Sequence, residues 1–288
     1  MSKDVLCIYH GNCADGFGAA WAVRYALGDS VEFHAGVYQQ DPPDVTNKTV
    51  IMVDFSYKKP VIEKMAASAK AILILDHHKS AAEDLAEFPE PPDDIEGHSG
   101  WLPSQGIYAR FDMGKSGAVL AWEHFNNLKP IPRLLEHIQD RDLWKFQLDG
   151  TREIQAALFS YPYDFELWDK IFSEGVERLQ RDGSAIERKH FKDIEELVKV
   201  CERPMEIGGF IVPVASLPYT LVSDAAHQMA DAAPFAACYW DTLDSRVFGL
   251  RSTDKGEDVS AIAKQYGGGG HRNSAGFSVP RSHILAMS

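Results

Sequence analysis

The sequence predicts an α/β fold: a doubly wound, mainly parallel sheet followed by a smaller α/β unit. Three observations carry that prediction. Apolar runs over residues 5–9, 49–53 and 71–75 are too short for independent helices and read as strands buried on both faces. Helical spacing lies between them, most plainly at Val61, Ile62, Met65 and Ala66, and strand–helix alternation implies parallel pairing. Past Arg203-Pro204 the composition shifts to a second set of short strands.

The first strand, over 5–9, leads into the turn His10-Gly11-Asn12-Cys13-Ala14-Asp15-Gly16 and a small-residue-rich helix over 17–27. A second strand is predicted near 31–34. A third, over 49–53, ends at Asp54, and a helix follows over 60–69. The fourth strand, over 71–75, stops abruptly at Asp76-His77-His78. Residues 88–113 are rich in Pro, Gly and Asp and read as a long surface loop. Ser116 caps a helix through Phe125, and a short helix over 132–139 ends at Asp140-Arg141-Asp142. From 165 to 201 the pattern is helical and heavily charged. The second unit is predicted to hold strands over 210–214, 235–240 and 246–251 and helices over 223–232 and 258–265. Then come Gly267-Gly268-Gly269-Gly270-His271 and a last strand over 275–279. The expected organisation is a first domain over 1–180, a connecting helix over 181–204 and a second domain over 205–288, with the active site in the cleft between the domains.

Bulk properties narrow the function. The 288 residues carry 42 acidic against 29 basic side chains, a formal charge of -13. Tight, sequence-independent binding to long duplexes needs a basic footprint, so the acidic balance disfavours it. A small anionic substrate held at one local basic site is not disfavoured. Cys7, Cys13, Cys201 and Cys238 show neither paired metal spacing nor disulfide density, which predicts reduced thiols. Met1-Ser2-Lys3-Asp4 is not the start of a signal peptide and no apolar run is long enough for a membrane, so a soluble, cytoplasmic chain is expected. Met113-Gly114-Lys115-Ser116 is no P-loop, because position 109 is Ala and no apolar strand precedes it. Arg110 and Lys115 remain candidate phosphate contacts.

The chemistry-bearing residues sit at the ends of strands or helices: the His10-to-Asp15 turn, Asp54, Asp76-His77-His78 and Asp140. In open parallel sheets, ligands bind outside the carboxyl ends of the strands. Oxygen and imidazole donors gathered there form a cage for hard or borderline divalent cations. Two such ions clamp a phosphate oxygen and generate hydroxide for in-line attack on phosphorus. No Ser-His-Asp or Cys-His nucleophile is needed.

The Asp76-His77-His78 signature, the His10-to-Gly16 turn, the Val53-Asp54 strand end and the glycine run before His271 with Ala275-Gly276-Phe277 resemble the DHH phosphoesterase superfamily in its DHH–DHHA1 arrangement. That group includes RecJ-type exonucleases, nano-RNases acting as oligoribonucleases, cyclic-dinucleotide phosphodiesterases and, with a different second domain, the manganese pyrophosphatases. The resemblance implies two metals, typically Mn2+, bridged by the carboxylate matching Asp54. It implies His10, Asp15, His77 and Asp140 as further ligands, with Asp142 the less favoured occupant of the last role. His78 matches the residue facing the bridging water and substrate, and Asp76 the one that orients its neighbours.

In one place the sequence departs from the pattern. Cys13 stands where the family's Asp-x-Asp-Gly turn has its first Asp, and His10 is one residue further from the Asp-Gly than usual. A thiolate is soft and favours zinc or iron. This site is expected to be weak or to be completed by His10 and Asn12, with Cys13 as a wall residue rather than a thiolate ligand, because manganese-type donors dominate elsewhere. In the second domain Gly268, Gly269 and Gly270 let backbone N–H groups approach an anion. The resemblance assigns substrate binding to them with His271, Arg251 and Ser252, and Arg272 is an additional candidate.

The function implied is a metal-dependent phosphodiesterase acting on short single-stranded oligonucleotides or related small phosphorylated substrates, with a homodimer as a candidate assembly. A cyclic-dinucleotide phosphodiesterase, a bisphosphate-nucleotide phosphatase and a polyphosphatase are the alternatives within the enzyme class. A non-catalytic phosphate-ligand sensor is the alternative outside it.

Overall fold

The computed structural model describes residues 3–11, 13–38, 40–92 and 100–287. It falls into two compact units, Met1–Glu187 and Arg188–Ser288.

The first unit holds the strands β1 (Val5–His10), β2 (Val31–Gly36), β3 (Thr49–Val53), β4 (Ala71–Asp76) and β5 (Gly106–Phe111). Its helices are α1 (Ala14–Leu27), α2 (Lys59–Ala66), α3 (Lys79–Asp84), α4 (Gly117–Asn126), α5 (Arg133–Asp142), α6 (Thr151–Leu158) and α7 (Phe165–Glu174), and α8 (Val176–Cys201) begins here. The sheet order is β2-β1-β3-β4-β5, with every pairing parallel. The apolar runs are buried on both faces, as a parallel sheet requires. Period-two alternation sends Cys7, Ile51, Val53, Leu73 and Leu75 into a core with Phe17, Trp21, Trp122 and Trp168. Leu6, Ile8, Val50, Met52, Ile72 and Ile74 face the other way, onto Ile62, Met65 and Leu85.

The chain runs from β1 outward to β2 and then returns to β3, β4 and β5 on the other side. The strand order therefore reverses between β1 and β3, and the crevice beyond their carboxyl ends is where such sheets bind ligands.

Strand β5 corrects the expectation of one long loop over 88–113: Gly106–Phe111 adds to the edge of the sheet beside β4. Helix α5 runs past Gln139 to Asp142, so both candidate aspartates lie within its last turn. Helix α6 was not anticipated, and Gly175, at φ 81°, divides the charged helical stretch into α7 and α8.

The second unit takes the end of α8 and holds β6 (Arg203–Ile207), β7 (Phe210–Ser216), α9 (Val222–Ala230), β8 (Ala236–Asp241), β9 (Ser245–Arg251), α10 (Val259–Lys264), β10 (Gly269–His271), β11 (Ser274–Pro280) and α11 (Ile284–Met287). The sheet order is β10-β11-β9-β8-β7-β6, antiparallel except for the β7–β8 pair. Strand β6, unpredicted, carries Pro204 at the sheet edge, where a missing N–H is tolerated. Arg246 binds Asp241 through Nε–Oδ1 at 2.8 Å and Nη2–Oδ2 at 3.1 Å, and Arg281 reaches the same carboxylate at 2.6 Å. The hydrogen bonds from Arg246 lead in holding the Asp241 carboxyl down at about 2.

Candidate metal centre

Three strand ends and two helices converge on one cluster. The end of β1 supplies His10. Its neighbour Cys13 caps α1, its sulfur accepting the Gly16 N–H at 3.1 Å in the place usually taken by a Ser or Asp oxygen. Gly16 is required there, because a Cβ would lie 2.2 Å from the His10 carbonyl oxygen.

Asp15, in the first turn of α1, accepts the Gly117 N–H at 2.6 Å and the Ala118 N–H at 3.0 Å. It therefore closes the N-terminus of α4 together with Ser116, whose hydroxyl accepts from Val119 N. The positive end of that helix faces the acidic cluster.

Asp54 follows β3 at φ 53°, a left-handed conformation rare for a non-glycine residue, and is 1% exposed. Its N–H is held by the Leu75 carbonyl at 3.0 Å. The backbone of α4 comes so close that a Cβ on Gly117 would lie 2.4 Å from the Asp54 Cβ. Strain of this kind, persisting only because its surroundings impose it, marks functional positions.

The two oxygens of Asp54 face different partners. Oδ1 lies 3.0 Å from His77 Nε2. Oδ2 accepts from the Cys13 thiol at 3.3 Å and lies 3.5 Å from His10 Nδ1. His77 Nε2 is in turn 3.6 Å from Asp15 and 3.5 Å from Asp142. Among the described residues, His10–Cys13–Asp54 and Asp15–His77–Asp142 each form a donor group and Asp54 touches both, while Asp54, Asp76, His77 and His78 form another.

Asp76, fully buried at the end of β4, directs one oxygen to its own turn. That oxygen accepts the His77 N–H at 2.7 Å, the His78 N–H at 3.3 Å and the His78 Nδ1 at 2.7 Å. His78 is thereby fixed by the carboxylate beside it.

Electrostatics shows what the cluster wants. Burial would raise the Asp54 carboxyl, yet hydrogen bonds from His10 and His77 outweigh it and hold it well below the usual carboxylate range. Burial, and then the charge of Asp54, push Asp15 well above that range. Burial disfavours a charged His77, but the surrounding aspartates overcome it and raise its pKa well above the ordinary value. The donors thus gather more negative charge than the imidazoles neutralise. Carboxylate oxygens and imidazole nitrogens in this proportion fit divalent cations.

Several expectations land differently. The structure puts Asp142, not Asp140, beside His77. Asp140 turns to the following loop, accepting from Gln147 N at 2.8 Å, Leu148 N at 3.0 Å and the Thr151 hydroxyl at 2.6 Å. Lys115 pairs with Glu123 at 2.6 Å and Asp112 at 3.6 Å. Arg110 donates to the Pro91 carbonyl at 2.9 Å. Asn12 lies outside the described residues. Cys13, expected on the wall, has its sulfur inside the first donor group. Tyr38 was missed: its ring lies edge-on to His10 at 5.3 Å and His78 at 6.4 Å, and it is 46% exposed. Its position shortly past the strand predicted near 31–34 was the only signal in the sequence.

In the second unit the glycine run serves the fold first. The Gly267 and Gly268 N–H groups bond to Lys264 and Ala263 carbonyls, closing α10 with Gly267 at φ 79° in a Schellman arrangement. Gly268 and Gly270 admit close packing on β11, since a Cβ would lie 2.1 Å from the Gly276 oxygen and 2.5 Å from the Ser274 oxygen respectively. Gly269 and His271 pair with Gly276 and Ser274. Arg251 donates to the Ser223 hydroxyl at 2.6 Å. Ser252 is fully buried, bonded to the Arg272 carbonyl and Asn273, so it braces the loop. Arg272 donates to the Gly256 carbonyl at 2.9 Å.

No family model matches the chain. The uncharacterized protein R106 of Acanthamoeba polyphaga mimivirus is 31% identical over 303 aligned residues, covering 95% of this chain and 67% of that protein. RecJ from Thermus thermophilus in complex with Mn2+ superposes with a TM-score of 0.50 at 13% identity, over 99% of this chain. This chain spans about half of that RecJ, 51%. A pGpG-specific phosphodiesterase from Vibrio cholerae gives a TM-score of 0.48 at 15% identity, covering 96% of this chain and 94% of that one. Among the described residues, no helix is long and apolar enough to cross a membrane.

Proposed function

We propose that the chain, which shares its fold with RecJ from Thermus thermophilus and belongs by sequence to the family of the mimivirus protein R106, is a metal-dependent phosphodiesterase of the DHH superfamily. Its substrates are short oligonucleotides or related small phosphate esters. The observation that carries this reading is Asp54, a buried carboxylate at φ 53° whose two oxygens face two separate donor groups. A carboxylate shared in this way suits a pair of divalent cations, which supply Lewis acidity toward a phosphate ester and acidify water.

Asp15, His77 and Asp142 would hold one cation and His10 the other, with Asp54 available to both. The carboxylate-rich donor set at the first of these suits a hard ion such as manganese. Asp15 also closes α4, and so fixes the helix backbone that presses on Asp54. Asp76 keeps the proton of His78 on Nδ1, so Nε2 is the atom that steadies a phosphate oxygen or passes a proton to the leaving group. Tyr38, on the rim beside His10 and His78, offers a face for a base.

In the second unit, Arg251, Gly269, Gly270 and His271 bind remote substrate charge. A formal charge of -13 supports short substrates over a processive track on long nucleic acid.

The test is hydrolysis of di- to pentanucleotides, cyclic dinucleotides and polyphosphate with added Mn2+. Turnover is expected on the short oligonucleotides, and no manganese-dependent hydrolysis of any of these would overturn the reading. Arg251→Ala and His271→Ala are expected to weaken oligonucleotide turnover far more than turnover of a generic aryl phosphate ester, since remote binding energy counts only for substrates that reach it. Equal losses on both substrates would remove the second unit from recognition.

A further inference from the structure

The donor atoms of the first group form a nearly equilateral triangle. Cys13 Sγ is 3.5 Å from His10 Nδ1 and 3.3 Å from Asp54 Oδ2, and the nitrogen and oxygen are 3.5 Å apart. A tetrahedral zinc ion, with about 2.3 Å to sulfur and about 2.0–2.2 Å to nitrogen and oxygen, sets ligand–ligand edges of roughly 3.3–3.6 Å. Neighbouring donors of an octahedral Mg2+ at about 2.1 Å stand only about 3.0 Å apart. The triangle has the dimensions of the tetrahedral site.

We propose that the two cation positions take different metals: His10, Cys13 and Asp54 bind Zn2+, while Asp15, Asp54, His77 and Asp142 bind a manganese-type ion. The inference rests on the two-cation reading above and goes beyond it in assigning a selective role to the sulfur. Softness separates the groups, since the first contains the sulfur and the second holds only oxygens and an imidazole. Two further observations support it. The Gly16 N–H donates to Sγ at 3.1 Å, which fixes the sulfur at the helix start, beside His10 and Asp54. Among the described residues this group supplies three protein donors, and three donors with a fourth position for water or substrate is the pattern of catalytic zinc, whereas structural zinc is closed by four. On binding, the thiol proton leaves to solvent and the sulfur lone pair makes the new bond to zinc, with no change in oxidation state.

The full-length protein, stripped by chelation and reloaded with Co2+ alone, tests this, because cobalt thiolates absorb in the near ultraviolet. The wild type is expected to show that charge-transfer band, and Cys13→Ser and Cys13→Asp to lose it. Either replacement keeps an oxygen to cap α1, and circular dichroism checks the fold. Elemental analysis after exposure to Zn2+ in excess Mn2+ should find one zinc equivalent in the wild type and its loss in Cys13→Asp. Two bound cobalt equivalents without the band would overturn the zinc assignment and leave the two-cation reading intact. A band surviving Cys13→Ser would place the sulfur elsewhere and overturn it as well. No cobalt binding at all would overturn both.

Discussion

Replacing Gly117 by alanine should damage the fold and the metal centre together. The new Cβ would lie 2.4 Å from the Asp54 Cβ, 2.8 Å from its Cα and 2.9 Å from its Cγ. None of these is the end of a flexible side chain. Asp54 cannot retreat without giving up the Leu75 carbonyl, and the start of α4 cannot retreat without lengthening the 2.6 Å and 3.0 Å bonds to Asp15. Overpacking of this kind costs about 1–3 kcal/mol. Backbone contact on both sides puts this case at the upper end, about 3 kcal/mol. With a urea m-value of about 2 kcal/mol/M, the midpoint should fall by about 1.5 M. Tryptophan fluorescence reads it, and calorimetric titration with Mn2+ should show a weakened or missing binding step. Gly114→Ala is the control, since its nearest neighbour is an Asp112 side-chain oxygen at 3.1 Å; a change within about 0.5 kcal/mol is expected. An unchanged midpoint and unchanged Mn2+ stoichiometry in Gly117→Ala would refute the coupling of α4 to Asp54.

The other predictions concern single carboxylates. Asp54→Asn, which still tolerates the left-handed backbone, should bind no cation pair and lose on the order of 1000-fold in manganese-dependent turnover, a loss of several kcal/mol in transition-state stabilisation; activity within tenfold of wild type would remove Asp54 from the bridging role. Asp142→Asn should lose metal while staying folded, whereas Asp140→Ala should lose about 3 kcal/mol of stability by removing the acceptor of three hydrogen bonds, with metal stoichiometry kept. The reverse pattern would restore Asp140 as the ligand. Asp241 has its pKa depressed to about 2, so the stability it adds is present above about pH 4 and is lost as pH falls from there to 2. Screening at this partly exposed site limits the effect to about 1 kcal/mol. A urea midpoint in Asp241→Asn that falls as steeply as the wild type's between pH 4 and 2 would contradict it.

Much of this was legible in the sequence, for identifiable reasons. The strand ending at Asp76 is buried at every position, and an apolar run closed by an acid and two imidazoles has few other readings. The choice between Asp140 and Asp142 was not legible. Two residues apart on a helix, they point about 200° apart around its axis, and only the packing of α5 says which faces the sheet ends. Strand β5 sits at the sheet edge with half-buried residues, so it lacks the apolar run that betrays its neighbours. Pro204 hid β6 because proline argues against a strand everywhere except at an edge. The glycines before His271 were read for their freedom near an anion, while the turn after α10 and the crowding on β11 account for Gly267, Gly268 and Gly270. The position of Cys13 was not legible from its residue type, and the cap it makes on α1 brings its sulfur to Asp54.

The strand order of the first unit also sets a timetable. His10, Cys13 and Asp54 flank the adjacent strands β1 and β3, so all three leave the ribosome early. Asp142 follows roughly 90 residues later, a delay of roughly 5–20 s at synthesis rates of about 5–20 residues per second. For that interval the nascent chain displays one donor triangle while the other is still missing its last carboxylate. Under the two-metal proposal, the ions in the compartment where translation happens would therefore meet the sulfur-bearing donors first.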